Sequence, residues 1–197
     1  MDNLAVTKNY LYQTFQVFYK QWSISIDIMP IGIQSYWSNI LHVGIGGNKE
    51  EYGDQTPAIS FAPDTTKIRI ASAINGNKNF RIDTDPIPIN EWTQLEISQL
   101  RQLDGVYQFT IRIAGTIFTQ INNTDPREFS EIKVYTSNNY RPAANAQIAT
   151  LTISTFPDTT PISTESIDEC TIDDVCGKLP ILAKSRNDRI NLKLKFR

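Results

Sequence analysis

Apolar and polar residues alternate with a period of two along most of the chain. The clearest example is segment 22–28, in which every second residue is apolar: Trp22, Ile24, Ile26 and Ile28. Segment 106–113 repeats the pattern with Tyr107, Phe109, Ile111 and Ile113. Because successive side chains of a strand point to opposite faces, this period predicts strands with one buried and one solvated face.

Turn-forming residues separate further segments of the same kind. Residues 63–66 (PDTT) divide two apolar runs into a hairpin, and Asn75-Gly76 is typical of a tight β-turn. No segment shows an extended helical period, and residues 9–20 are too rich in Tyr, Phe, Val and Thr to favour a helix. About ten short strands with regular turns predict an all-β, antiparallel β-sandwich or jelly roll.

The composition changes after Phe156, where a linker rich in Pro, Ser and Thr begins. We therefore predict one sandwich over residues 9–156 and an extension over residues 157–197. The extension ends in a strand-like alternation that we predict to be an assembly strand, formed by Ile190, Leu192, Leu194 and Phe196.

Charge is distributed unevenly between these parts. The whole chain of 197 residues has a formal net charge of -2. Residues 184–197 contain six basic residues and one acid, net +5, so the remainder has a net charge of −7. The basic end is either a solvated terminus or an arm that docks on an acidic partner, its own body or another chain.

Composition excludes several functions. The net charge argues against a surface devoted to nucleic acid, and no apolar stretch is long enough to predict membrane insertion. The single histidine, His42, excludes sites that need two, and we expect it to be structural. The first ten residues show no signal peptide, which fits a mature or recombinant form or a cytosolic protein.

Two cysteines lie close together in the extension. Cys170 and Cys176 are separated by five residues, and the even count predicts a small disulfide loop if the compartment is oxidising. The alternative is a pair of free thiols in a reducing cell.

The order of sequence features resembles the concanavalin A-like, laminin-G-type jelly rolls of extracellular proteins. The resemblance covers residues 15–156 and rests on the runs WSISIDIMP, NILHVGIGGN, YGDQTPAISF, NEWTQLEISQ, GVYQFTIRIAGTIF and FSEIKVYTSNN. It implies a jelly roll with Trp92 in its core, like Trp22, and an extracellular or cell-surface protein that binds protein or glycan. Trp37 is expected to be partly exposed.

Glycan-cleaving relatives of this fold need two acids close together on one strand. The candidates are Glu91 and Glu96, whose odd spacing turns them to opposite faces of a strand. We therefore predict that the protein is not an enzyme.

Three loops contain candidate binding residues. The loop at residues 46–54 offers Glu51 and Asp54 to a calcium ion, or is simply a solvated acidic loop. Asn75 and Asn77 either contact sugar hydroxyls or form a type I′ turn. The strongest candidate for partner contacts is the loop that contains Asn138, Asn139, Tyr140 and Arg141.

Together these features favour a non-catalytic extracellular recognition or adhesion module that binds protein or glycan through loops at one rim. The first alternative is a structural subunit of a filament or coat, a homo-oligomer assembled by addition of the C-terminal strand to a neighbouring sheet. The second alternative is a calcium-dependent lectin.

Overall fold

The computed structural model describes residues 3–47, 50–138 and 140–158. These residues form twelve strands: β1 (Leu4–Ala5), β2 (Leu11–Phe18), β3 (Gln21–Pro30), β4 (Ser38–Gly44), β5 (Ala58–Phe61), β6 (Lys67–Ile74), β7 (Asn77–Pro86), β8 (Thr93–Arg101), β9 (Tyr107–Ile113), β10 (Thr116–Asn123), β11 (Phe129–Tyr135) and β12 (Ala146–Phe156). No helix is present in the described part of the chain, and so none that could cross a membrane.

The strands form two six-stranded antiparallel sheets. The first sheet has the order β1-β12-β3-β8-β9-β10, and the second has the order β2-β11-β4-β5-β6-β7. Strands β4 to β7 are consecutive hairpin neighbours, whereas β11 and β12 return to different sheets. This arrangement confirms the predicted antiparallel sandwich, and it adds the short strand β1 ahead of the predicted start at residue 9.

The apolar faces of the two sheets form one core. Along β3 the even-numbered residues from Trp22 to Pro30 are all buried, as their alternation predicted. The Trp22 ring lies 5.9 Å from the Phe18 ring and 6.1 Å from the Phe109 ring, so it joins residues of both sheets. Full burial of a large apolar side chain contributes roughly 1.5–3 kcal/mol each, which makes this cluster a main source of stability.

The hairpin between β6 and β7 has the predicted turn. Asn75 has φ 53° and Gly76 has φ 77°. Positive φ at both central residues is what a type I′ turn requires, and glycine adopts it without steric cost.

Trp92 does not lie in the core, contrary to the expectation from the resemblance. Strand β8 begins at Thr93, and its buried positions start there with Thr93, Leu95 and Ile97. Trp92 precedes the strand and is 42% exposed. The inward positions of β8 are odd-numbered, so the side chain of an even-numbered residue such as Trp92 points outward.

The cysteines and the C-terminal alternation lie outside the described residues. The disulfide between Cys170 and Cys176 and the assembly strand of Ile190, Leu192, Leu194 and Phe196 therefore stay predictions.

Replacing each of two tryptophans by alanine tests the core assignment. Trp22→Ala should lower the free energy of unfolding by about 3–5 kcal/mol because it removes a buried indole and leaves a cavity. Trp92→Ala should cost no more than about 1.5 kcal/mol because 42% of the residue is already exposed to solvent. Urea unfolding followed by far-ultraviolet circular dichroism measures both, and equal losses would contradict the assignment.

Candidate functional site

Strand β4 is buried along its whole length, although it contains two strongly polar side chains. Ile40, Leu41 and Val43 belong to the core. The connection between β11 and β12 hydrogen-bonds to both polar residues, Asn39 and His42. Each of them therefore needs a protein partner in place of water.

Asn39 attaches this connection to the sheet. Its Nδ2 donates to the carbonyl of Ile59 on β5 at 2.9 Å, and its Oδ1 accepts from the backbone N–H of Asn138 at 2.9 Å. Its backbone N–H donates to the Pro142 carbonyl at 2.8 Å, and its carbonyl accepts from Ala144 at 3.0 Å. One asparagine thus connects β4, β5 and both ends of the loop.

Asn138 determines the shape of the loop. Its Oδ1 accepts the backbone N–H groups of Tyr140 at 3.0 Å and Arg141 at 3.1 Å, which closes a tight side-chain-to-backbone turn. Its Nδ2 lies 3.1 Å from His42 Nδ1. The Tyr140 hydroxyl donates to the Gly46 carbonyl at 2.7 Å, which connects the loop to the β4–β5 connection.

His42 is neutral at physiological pH. Burial lowers the pKa of His42 from 6.5 to about 4; the charge and backbone of Asp54 oppose this change, and the charge of Arg141 adds to it. Since Nδ1 faces the amide donor of Asn138, we assign the ring proton to Nε2. Nε2 makes no hydrogen bond of standard geometry within the described residues.

Two arginines, Arg69 and Arg141, contact Trp37, the residue before β4, and Arg81 lines the same pocket as both. We call Arg69, Arg81 and Arg141 the arginine cluster. The guanidinium carbon of Arg69 lies 4.2 Å from the centre of the Trp37 ring, and that of Arg141 lies 5.3 Å from it. Both distances are typical of cation–π contacts. Two of the three guanidinium groups therefore rest on one indole.

Two members of the arginine cluster have acidic partners. Arg69 donates twice to Asp83, at 2.6 Å each, and this pairing raises the pKa of Arg69 and lowers that of Asp83. Arg81 donates to Glu50. Burial, followed by the charges of Arg81 and Arg69, lowers the pKa of Arg141.

The arginine cluster lines one shallow depression of about 20 Å³ on the second sheet, which we call the second-sheet cleft. It lies over β4 to β7, and the loop at residues 138–141 borders it. The polar side chains that line it include His42, Gln55, Ser60, Asn138 and the arginine cluster.

Some of the predicted binding residues lie at this cleft, and others do not. Asn138 and Arg141 line it, Tyr140 lies beside it at the exposed surface, and Asn139 is outside the described residues. Asn75 instead accepts hydrogen bonds from Thr124 through its Oδ1, and Asn77 accepts one from the backbone of Asn79. Both side chains therefore stabilise the β6–β7 turn and the residues packed beside it.

The predicted calcium ligands are engaged within the protein. Asp54 is buried against Gly47, where a Cβ atom would overlap its carboxylate, and it accepts the backbone N–H of Glu51. The Glu51 side chain pairs with Lys78. The described residues contain no group of three His, Cys, Asp or Glu side chains that could hold a metal ion. A calcium site stays a prediction.

Arg69, Arg81 and the contact of Trp37 with two arginines were not predicted from the sequence. The Asn75-Gly76 turn does not by itself predict their proximity, because a register shift between Ser72 and Ile74 sets Ala71 opposite Arg81 and Arg69 opposite Asp83. Residues two apart on each strand share a face, so the two arginines are diagonal neighbours. The loop at residues 138–141 could not be added to that face from its sequence.

Two other grooves differ in character. A polar groove of about 500 Å³ crosses the first sheet and is lined by Ser23, Ser98, Arg112 and Gln120, among others. An open groove of about 470 Å³ is largely apolar and contains the exposed Trp92 and Phe118. Neither contains buried charged or amide groups held by a loop, as the second-sheet cleft does.

The fold is that of the concanavalin A-like jelly rolls, which confirms the resemblance. A heptameric SAP-like pentraxin from Limulus polyphemus matches with a TM-score of 0.50 and 12% identity, over 74% of this chain and 70% of that chain. Domains LG4-5 of the mouse laminin alpha1 chain match with a TM-score of 0.51 and 8% identity, over 77% and 41%. The receptor binding domain of botulinum neurotoxin D matches with a TM-score of 0.50 and 12% identity, over 74% and 36%.

These structures share the fold of this chain at low identity, and the chain spans well under half of the laminin and neurotoxin structures. No protein-family model matches the sequence, and no curated protein does. The comparisons therefore establish the fold alone, and any proposal for the ligand rests on the residues of the second-sheet cleft.

The pKa of His42 predicts how stability changes with pH. The folded value of about 4 is below the unfolded value of 6.5, so the stabilisation is complete above pH 6.5 and is lost as the pH falls toward 4. The loss should amount to roughly 3 kcal/mol. His42→Gln should reduce the fall in the free energy of unfolding over this pH range, as measured by urea unfolding at about pH 7, 5.5 and 4.5. Parallel losses in both proteins would show that other groups cause the dependence.

Proposed function

We propose that the protein is a non-catalytic recognition module that binds a glycan in the second-sheet cleft. The observation that supports this most is the convergence of planar polar side chains, above all Gln55 and the arginine cluster, around one shallow surface depression. Planar amides and guanidinium groups offer hydrogen bonds in fixed directions, which suits the closely spaced hydroxyls of a sugar ring.

The scaffold holds these groups in place before a ligand binds. Asn138 is buried and bonded on both sides of its amide, and Arg141 is held by its backbone and by its contact with Trp37. Side chains that are already ordered lose little conformational entropy on binding. The cleft is also shallow, which favours contact with the edge of an extended ligand.

The arrangement of acids supports a binding role over glycan cleavage. Glu91 precedes β8, so it does not share a strand with Glu96, which lies opposite Arg112 in the β8–β9 register. Two acids near the cleft, Glu50 and Asp83, each pair with an arginine, and Asp54 is buried against Gly47. A retaining or inverting glycosidase needs two carboxyl groups that flank one bond.

We further propose an extracellular location. The protein shares its fold with a laminin domain pair, a pentraxin and a toxin domain described as receptor binding. A glycan or protein at a cell surface would be a partner consistent with the exposed polar cleft.

A pair of matched glutamine variants tests the glycan site. Gln55→Ala should weaken binding to the glycans that the intact chain selects on an array by about fivefold, since one neutral hydrogen bond contributes about 1 kcal/mol. Gln120→Ala makes the same change in the groove of the first sheet and should have no effect. Titration calorimetry with the selected glycan measures both affinities.

The opposite pattern, in which only Gln120→Ala weakens binding, would move the site to the first sheet. Failure of the intact chain to bind any glycan on the array would contradict the proposed function.

A second candidate is assembly by strand addition. Strand β2 is an edge of the second sheet and presents Leu11, Tyr12 and Val17 to solvent. An open edge with apolar side chains can accept a further strand, and the alternation from Ile190 to Phe196 would supply one. In this proposal the basic C-terminal segment of one chain pairs with the body of a neighbour.

The solution mass of the intact chain, compared with a chain that ends at Asp158, tests this assembly. We expect multimers of the intact chain that weaken between about 50 and 500 mM salt, because the arm is basic and the body acidic. The shortened chain should be monomeric. Monomers in both cases would contradict assembly by the C-terminal strand.

A further inference from the structure

The arginine cluster is a local concentration of positive charge on a body that is acidic as a whole. The described residues contain 11 Lys and Arg against 14 Asp and Glu, a net charge of −3. Such a surface does not attract long polyanions over its whole area. Within the described residues, an anion would therefore be attracted locally, at a site such as the arginine cluster, and not over the whole surface.

Arg141 differs from the other two members of the cluster because it has no acidic partner. Asp83 pairs with Arg69 and Glu50 pairs with Arg81, but within the described residues no carboxylate lies at ion-pair distance from Arg141. Its guanidinium is partly buried, and the charges of Arg69 and Arg81 act against it. Glu50, the partner of Arg81, favours the charge of Arg141, but no carboxylate of the described residues pairs with Arg141 itself.

The position of Arg141 leaves it suited to an external anion. The backbone N–H of Arg141 is held by Asn138, and its guanidinium carbon lies 5.3 Å from the centre of the Trp37 ring. A contact with a ring face leaves the N–H edge of a guanidinium able to donate, and that edge matches the two oxygens of a carboxylate or sulfate. Arg69 contacts the same ring, so an anion there would face two guanidinium groups.

We propose that the glycan bound in the second-sheet cleft carries an anionic group, a carboxylate or a sulfate ester, and that Arg141 contacts that group. This inference rests on the proposed function and specifies the ligand class. The anionic group of the ligand provides the ion-pair partner that Arg141 does not have among the described residues. The sugar hydroxyls of the same glycan contact the neutral side chains of the cleft, such as Gln55 and Ser60.

The test compares matched glycans that differ in one group. A neutral oligosaccharide, its counterpart with a carboxylated sugar and its counterpart with a sulfate ester are titrated into the intact chain by calorimetry. We expect at least one acidic form to bind at least tenfold more tightly than the neutral form. Its affinity should fall as salt rises from about 50 to about 500 mM, and the carboxylated and sulfated arms show which anion is preferred.

Arg141→Gln keeps a long planar side chain and removes the charge. It should abolish the preference for the acidic glycan, so that the acidic and neutral forms bind the variant with equal affinity. Arg112→Gln, on the first sheet, is the matched control and should keep the full preference. Circular dichroism and thermal unfolding check that each variant is folded, and Arg81→Gln tests the cluster independently if Arg141→Gln is unfolded.

The outcomes separate this inference from the proposed function. Equal binding of neutral and acidic glycans, unchanged by Arg141→Gln, overturns the anion requirement and leaves the glycan module standing. Binding of an acidic peptide such as polyglutamate, with no binding of any glycan, overturns both and identifies a protein ligand.

Discussion

The burial of β4 on both faces is the constraint on which the candidate site depends. Its apolar residues pack into the core, and the loop before β12 covers its polar residues, Asn39 and His42. A buried amide and imidazole without partners would each cost roughly 1–3 kcal/mol. Asn138 hydrogen-bonds to one atom of each, and its side chain also bends the loop that places Arg141 beside Trp37. The stability of the sheet and the geometry of the cleft therefore depend on the same hydrogen bonds.

The cleft departs from what stability alone would favour. Exposed pairs such as Arg81 with Glu50 contribute about 0–1 kcal/mol, so they do not explain why three arginines gather on one face. Arg141 is partly desolvated and close to two like charges. Local arrangements of this kind are common at functional sites, where the rest of the fold supplies the stability that the site does not. The core around Trp22 provides that reserve here.

Part of the site was predictable from the sequence. The loop with Asn138 and Arg141 was identified from its residue types, and both side chains line the cleft. Asn75 and Asn77 have equally suitable chemistry but are used by a turn and its neighbours. Amide groups serve turns and ligands equally well, so composition cannot distinguish these roles. Only the contacts of each amide decide which role it has.

The sequence by itself determined the strands, their buried faces and the sandwich, because a period of two and local turn chemistry act between near neighbours in the chain. It also contained the phase that turns Trp92 outward. The tertiary structure alone decided that the 138–141 loop reaches β4 and meets arginines from β6 and β7. Residues about 100 positions apart, such as Asn39 and Asn138, meet because β11 pairs with β4 in the second sheet. No local pattern encodes that meeting, since it depends on the order in which all the strands are arranged.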